Sequence, residues 1–254
     1  MNSGKEIEDI SSFKELAVKY ADKLPKHVGL ILDGNRRWIK KQGLTDVTQG
    51  HLAGYQRLKK ILYPFFEAGI HYLSAYALSI ENVRKRSEKE IHFLFKLLLK
   101  GVDEVLNEPM IHDNEVRVRL IGRLSELPAE IQSAIEKLNE RTENYKKNFI
   151  NFAVMYDGQE EIVDAVKCLI KSGPKLEEIN RDLIKKHLYT SDFPELDYLI
   201  RTGMEDGMRI SGFLLWDISY AELKFRSDLW PDYDEKMIME DLKDYIRRNR
   251  RMGK

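Results

Sequence analysis

The chain has 254 residues, 43% of them hydrophobic and 33% charged, which excludes a disordered chain and allows a substantial buried core. Its 42 Lys and Arg balance 42 Asp and Glu. No global positive field draws the protein to nucleic acid or an anionic membrane, so any anion site is local. The single cysteine, Cys168, excludes an intramolecular disulfide framework and a cysteine-rich metal site. It lies in an apolar helical pattern with Ile162, Val163, Val166, Leu169 and Ile170, and reads as a buried structural thiol.

The first 26 residues carry no apolar signal core, and Ile10, Phe13, Leu16, Ala17 and Tyr20 outline an amphipathic helix packed on the domain. No run of 18 apolar residues occurs, so no transmembrane helix is expected. The default is a cytoplasmic protein with at most peripheral membrane contact. Strands are predicted at Val28–Leu32, Tyr72–Leu78, Val116–Ile121, Ile150–Met155, Leu196–Ile200 and Leu223–Arg226. Helical patterns run over His51–Ala68, Glu88–Leu106, Pro128–Tyr145, Glu160–Ser172 and Asp234–Arg250, with Pro64 expected to kink the first. Strands alternating with helices predict an α/β fold, with a mostly parallel central sheet flanked by helices. No linker or repeat interrupts the series, so residues 27–254 read as one domain behind an N-terminal helical extension, residues 1–26. The helix at Glu88–Leu106 has an unusually broad apolar face, which reads as core packed on both sides or as the wall of an apolar cavity.

In parallel sheets ligands sit beyond the carboxyl ends of the strands. There the first strand delivers Asp33, Gly34, Asn35, Arg36, Arg37 and Trp38; the second Ser79, Glu81, Asn82 and the run Arg84-Lys85-Arg86. The third gives Gly122 and Arg123, the fourth Asp157 and Gly158, and the fifth Arg201, with Arg209 and Ser211 shortly after. Taken singly, each has a plain reading: Asp33 as a turn former or helix cap, the arginines as solvated surface. Together, carboxylates and guanidinium forks at one edge point to a diphosphate held with Mg²⁺. No P-loop, no G-x-G-x-x-G after the first strand and no zinc spacing is present. His51, where a helix opens after Gly50, is a candidate phosphate contact. His27 reads as structural.

These residues resemble the cis-prenyltransferase family, the undecaprenyl and dehydrodolichyl diphosphate synthases. The similarity runs from residue 25 to the end. It is carried by HVGLILDGNRRW at 27–38, by Gly50-His51 with Gly54, and by YALSIEN at 76–82. It continues through Ile200-Arg201-Thr202-Gly203, Arg209-Ile210-Ser211, FLLW at 213–216, Tyr220-Ala221-Glu222-Leu223, Leu229-Trp230-Pro231-Asp232 and Arg251-Met252-Gly253. The resemblance implies a homodimer whose fold encloses an apolar tunnel. It implies that Asp33 holds Mg²⁺ and helps an allylic prenyl diphosphate ionise, while Gly34, Asn35, Arg37 and His51, with Arg36 and Trp38 beside them, cradle that diphosphate. Arg201, Arg209 and Ser211 would bind isopentenyl diphosphate, and Ser79 and Asn82 would lie between the substrates. Glu222 would join Asp33 at the metal, and Arg251 and Gly253 would reach the partner's site.

Four departures touch these sites. No arginine precedes Gly50-His51 over Leu44–Gln49, where Asp46 stands instead. Val83 replaces an aromatic, leaving Lys85 or Arg86 for a substrate-binding arginine role. The Arg201–Arg209 stretch is two residues longer than is usual in the family. Gly212 and Asp217 replace a usual Asn or Asp and a usual Gln. Tyr55 stands where long-chain members often carry a small residue, and predicts a short or medium product. The leading expectation is a Mg²⁺-dependent enzyme that joins an allylic diphosphate to isopentenyl diphosphate in cis. The alternatives are irregular coupling of two allylic diphosphates and a non-catalytic partner subunit.

Overall fold

The computed structural model describes residues 7–248. In chain order its helices and strands are α1 (Phe13–Tyr20), β1 (His27–Ile31), α2 (Asn35–Lys41), α3 (Val47–Glu67), β2 (Tyr72–Ser79), α4 (Ile80–Lys85), α5 (Glu88–Asn107), α6 (Pro109–Asp113), β3 (Val116–Ile121), α7 (Ala129–Thr142), β4 (Asn148–Tyr156), α8 (Gly158–Ser172), α9 (Arg181–Lys185), β5 (Tyr198–Arg201), β6 (Glu222–Phe225) and α10 (Glu235–Arg247). The fold is α/β, with parallel strands flanked by helices. It divides into two compact units, each assembled from separated stretches of chain: residues 7–73, 197–208 and 220–248, and residues 74–196 and 209–219.

In the first unit β1, β5 and β6 lie side by side in parallel, with Ile31 level with Arg201 and Arg201 level with Phe225. All five β1 residues are buried, as expected of a strand covered on both faces. Helix α10 begins at an Asp234 cap, whose carboxylate accepts from the Met237 N–H at 2.9 Å. Its Ile238, Leu242 and Tyr245 recur at helical spacing and are buried. Complete burial of Ile238 or Leu242 contributes about 1.5–3 kcal/mol each. In α1, Phe13 and Leu16 are buried while Val18 is exposed, the one-sided helix expected from the sequence.

In the second unit the strands lie in the order β3, β4, β2, with β3 and β4 parallel. Helix α8 is capped by Asp157, which accepts from the N–H groups of Gln159 and Glu160. Its inward face is Gly158, Glu161, Ala165 and Leu169. Val163, Val166 and Ile170 are exposed, and so is Cys168. The expectation of a buried thiol is therefore corrected. Of the apolar residues named for this segment only Leu169 is buried, because the inner face is built around a buried carboxyl, Glu161.

Helix α5 also departs from the core reading. Only Glu90 and Val102 are buried on it, and Phe93, Leu94, Phe95, Leu97, Leu98 and Leu99 are half-exposed. Its broad apolar face is left partly open.

Candidate active site

The site is built where β1 ends. Asp33 lies two residues past the strand, and its backbone oxygen accepts from the Thr202 hydroxyl at 2.8 Å and the Trp230 N–H at 3.0 Å. Both anchors belong to chain that follows a neighbouring parallel strand, so Asp33, Thr202 and Trp230 emerge at one edge. The Asp33 carboxylate is gripped from two sides. Oδ2 accepts from Arg201 Nη2 at 3.0 Å, and Oδ1 from Arg37 Nη2 at 3.2 Å. Arg37 Nη2 also donates to the Gly203 carbonyl at 2.5 Å. The Arg201 side chain is only 5% exposed, whereas those of Arg37 and Asp33 are 40% and 34% exposed. One guanidinium is thus fixed and one is open to an incoming anion.

The turn into α2 depends on glycine. Gly34 has φ 123°, and a Cβ there would meet the Leu229 Cα at 2.9 Å. Helix α2 then lies so close to α3 that a Cβ at Gly50 would come 2.7 Å from Ile39 Cγ1, and one at Gly54 would come 2.9 Å from Asn35 Cγ. The Asn35 Oδ1 is buried and makes no hydrogen bond within the described residues. Such an acceptor is costly unless a donor reaches it. The Asp46 carboxylate caps α3 by accepting from the Thr48 N–H at 3.0 Å, which accounts for an acid in the stretch that lacks arginine.

Other candidates from the same run serve different ends. Trp38 donates its indole N–H to Asp232 at 2.7 Å, and Arg36 is exposed. His51 is buried, one turn inside α3 rather than at its first residue, so it is not at the free N–H groups of a helix start. Glu222 accepts from Arg248 at 3.0 Å and is level with Tyr198 and Val28. That is three residue steps, about 10 Å, before the strand ends from which Asp33 emerges. The two carboxylates expected to share a metal are not brought together in this unit, because they sit toward opposite ends of parallel strands. Arg251 and Gly253 lie outside the described residues.

The remaining candidates belong to the second unit. Ser79 caps α4, its hydroxyl accepting from the Asn82 N–H at 3.0 Å. Arg86 pairs with the buried Glu90 at 3.4 Å, and the exposed Lys85 with Glu81 at 2.5 Å. Arg209 and Ser211 are exposed on a loop. Ser211 has φ 50°, and its carbonyl accepts from the Tyr76 hydroxyl at 3.5 Å. Tyr76 stacks on Phe213 with centroids 4.9 Å apart. Below, Asp217 accepts from Lys185 and Thr190 at 2.5 Å each, and Glu161 from the Tyr156 hydroxyl at 2.5 Å. Burial, the largest cause, pushes both carboxyls above their usual range. Arg123 pairs with Glu160 and Asp164, and Asp157 is spent on capping, so neither is free for a ligand.

Asp228 and Arg226 were missed as site supports, and Thr202, at the fifth strand end, was given no role of its own. The signal was present in Arg201-Thr202-Gly203 and in the polar run that follows β6, Arg226-Ser227-Asp228, but neither run has a periodicity that assigns it a role.

A carboxylate between two guanidinium groups at a parallel strand edge defines an anion-handling α/β protein, and the comparisons give the kind. A family model described as putative undecaprenyl diphosphate synthase matches residues 31–253. The chain is 44% identical over 239 residues to the tritrans,polycis-undecaprenyl-diphosphate synthase (geranylgeranyl-diphosphate specific) of Methanocaldococcus jannaschii, covering 92% of this chain and 84% of that protein. It is also 44% identical over 230 residues to the isoprenyl transferase of Fusobacterium nucleatum, covering 91% and 96%. Among solved structures, lavandulyl diphosphate synthase from Lavandula x intermedia, in complex with dimethylallyl diphosphate, superposes with a TM-score of 0.86 at 31% identity, over 92% of this chain and 100% of that one. The chain belongs to the undecaprenyl diphosphate synthase family of prenyltransferases. Its activity is that of a cis-prenyl diphosphate synthase.

Proposed function

We propose that the chain, as one catalytic domain from residue 27, joins isopentenyl diphosphate to a preformed all-trans allylic diphosphate, with Mg²⁺ as cofactor. The observation that carries this is Asp33 held between Arg201 and Arg37. Departure of diphosphate develops negative charge, and preorganised cations stabilise it without reorganising. Arg201, buried, orients the carboxylate; Arg37, exposed, turns its free N–H groups to the diphosphate. The Asn35 Oδ1 is a further buried acceptor, lying against Gly54 of α3. In the second unit, the half-open apolar face of α5 suits a hydrocarbon chain.

Mg²⁺ fits this donor set by its chemistry. Among the described residues no three His, Cys, Asp or Glu side chains form a metal group. Mg²⁺ needs no such cage; it takes one or two carboxylates and completes its shell with substrate phosphate oxygens and water. Asp33 would supply that carboxylate. The ion would supply charge for the leaving diphosphate.

The primer assignment follows the Methanocaldococcus relative, whose name specifies geranylgeranyl diphosphate. Irregular coupling is the second reading, favoured by the similarity to a synthase crystallised with dimethylallyl diphosphate. A non-catalytic subunit is the weakest, since the Asp33 cradle is complete in this chain. With Arg201 assigned to Asp33, Arg209 and Ser211 remain of the three residues expected for isopentenyl diphosphate, Ser79 and Asn82 are assigned to the space between substrates, and the working state is a homodimer. Among the described residues no helix is long and apolar enough to cross a membrane. The deciding experiment gives the purified chain labelled isopentenyl diphosphate, Mg²⁺ and allylic primers of increasing length, with mass spectrometry of the products. Turnover with isopentenyl diphosphate and an allylic primer supports the reading. Turnover with dimethylallyl diphosphate alone favours the irregular one, and no turnover with any pair overturns both.

A further inference from the structure

The segment after β6 does more than close the first unit. Three backbone hydrogen bonds carry the β5–β6 pairing past the strand ends: Arg226 N–H to the Arg201 carbonyl at 2.9 Å, Met204 N–H to the Arg226 carbonyl at 2.7 Å, and Gly203 N–H to the Asp228 carbonyl at 2.7 Å. Residues 201–204 therefore hang on residues 226–228. The same residues 201–203 hold the cradle, through Arg201 on Asp33, Thr202 on the Asp33 carbonyl, and the Gly203 carbonyl on Arg37. Trp230 N–H adds a direct bond to Asp33.

Trp230 is anchored separately, its indole N–H donating to the Gly54 carbonyl at 2.9 Å, whereas residues 226–228 are tied to α10 through one side chain. The Arg226 guanidinium donates to Asp228 at 2.8 Å through Nε, to Asp241 at 2.6 Å through Nη1 and to Glu240 at 3.2 Å through Nη2. It lies over the Tyr233 ring, 5.8 Å from the centroid. Asp241 is fully buried on α10, its other oxygen accepts the Tyr233 hydroxyl at 2.9 Å, and Lys224 stands 3.8 Å away. Burial raises the Asp241 carboxyl, and Arg226 opposes that rise. A planar fork reaches the three carboxylates from three separate nitrogens; an ammonium has its three donors on one nitrogen and does not span the same positions.

We propose that Arg226 is a positioning residue for the reaction: by tying residues 226–228 to α10 it sets the placement of Arg201 and Gly203 around Asp33. It touches no substrate. The inference rests on the assignment of Asp33 to the reacting diphosphate. A displacement of the cradle by a fraction of an ångström to one ångström acts on the reacting geometry, and can cost up to about a hundred-fold in rate.

The test is steady-state kinetics of the full-length enzyme, at a temperature well below the unfolding midpoint of each variant. Arg226→Lys keeps a positive charge opposite Asp241 and loses the three-way fork. The expected result is a kcat lowered between about five- and a hundred-fold, with the KM for isopentenyl diphosphate changed less than twofold. Because a lone change could act through an unbalanced buried charge, the neutral pair Arg226→Gln with Asp241→Asn is measured alongside. It removes both charges and leaves the Tyr233 hydroxyl an acceptor, and kcat should fall there too. A wild-type kcat in either folded variant, whatever its melting temperature, overturns the positioning role. Asp33→Ala separates the two levels. If that variant retains wild-type turnover, the reading of the cradle fails; if it is inactive while Arg226→Lys is fully active, only the positioning role fails.

Discussion

Asp33 Oδ2 and Arg201 Nη2 are 3.0 Å apart, and the arginine of this pair is the buried member. A buried guanidinium is stable only while its partners are present. Asp33→Ala should therefore cost some stability as well as activity, and Asp33→Asn, which keeps an acceptor for Arg201, should cost less. Both should lower turnover by about a hundred-fold or more, the loss expected when one preorganised electrostatic group is removed from a transition state. The check is kcat alongside the urea midpoint of each variant. Near-wild-type turnover in Asp33→Asn would remove the carboxylate from the chemistry.

The close approach of α2 and α3 gives an independent handle on the same cradle. An alanine methyl at position 54 would come 2.9 Å from Asn35 Cγ, in a helix interior where nothing else requires glycine. On propensity alone, Gly54→Ala in a helix would stabilise. The overlap should reverse the sign and cost about 1–3 kcal/mol. It should also raise the KM for the allylic diphosphate, since Asn35 follows Asp33 by two residues. A stabilised variant with unchanged KM would show that the helices separate freely and that Asn35 has no part in binding.

What could be read in the sequence depended on whether local pattern or tertiary pairing decides. Strand β3 was found at its observed bounds, and β1 within one residue at each end, because hydrophobic runs bounded by turn residues report burial directly. The Asp33 run was legible since an acid and two arginines at a strand end carry chemistry whatever surrounds them. Cys168 and the α8 face were misread because the buried position is held by Glu161, satisfied by Tyr156 and by the Tyr189 N–H, and no periodicity reveals a polar residue with such partners. Glu222 was placed beside Asp33 by resemblance, while strand register sets it three steps back against Arg248. The role of Arg226 was invisible for the same reason, since Arg226 follows a strand and its partners Glu240 and Asp241 arrive from α10.

Acid stability should have a traceable contribution from the second unit. Hydrogen bonding to Arg123, the largest cause, together with bonds from Tyr189 and Lys167, holds the Asp164 carboxyl down at about 2 against an ordinary 3.8. A carboxyl depressed in the folded state contributes stability that is present above its unfolded value and is lost as pH falls through the folded value. The relevant window runs from 3.8 down to about 2. Glu161 and Asp217, raised by burial, act in the opposite sense: their contribution is present below the ordinary carboxylate value and is lost as pH rises through the raised one. The difference in urea midpoint between wild type and Asp164→Asn should be largest at neutral pH and shrink across the acid window. A difference that stays constant down to pH 2 would rule out the Arg123 pairing as its source.

The product-length role expected of Tyr55 has a direct test. Its ring is half-buried on α3, with the Lys59 ammonium 6.0 Å from its centroid. If the ring bounds the space open to the growing chain, removing it lengthens the product; if it merely packs beneath Lys59, nothing changes but a little stability. The bulk of the ring favours a short or medium product. Tyr55→Ala, given geranylgeranyl diphosphate and excess labelled isopentenyl diphosphate, should shift the product distribution upward by at least one isoprene unit, as read by mass spectrometry. Tyr55→Phe should leave it unchanged, because the volume is kept and only the hydroxyl is lost. An identical distribution in the alanine variant assigns chain-length control elsewhere, with the half-open apolar face of α5 the next segment to probe.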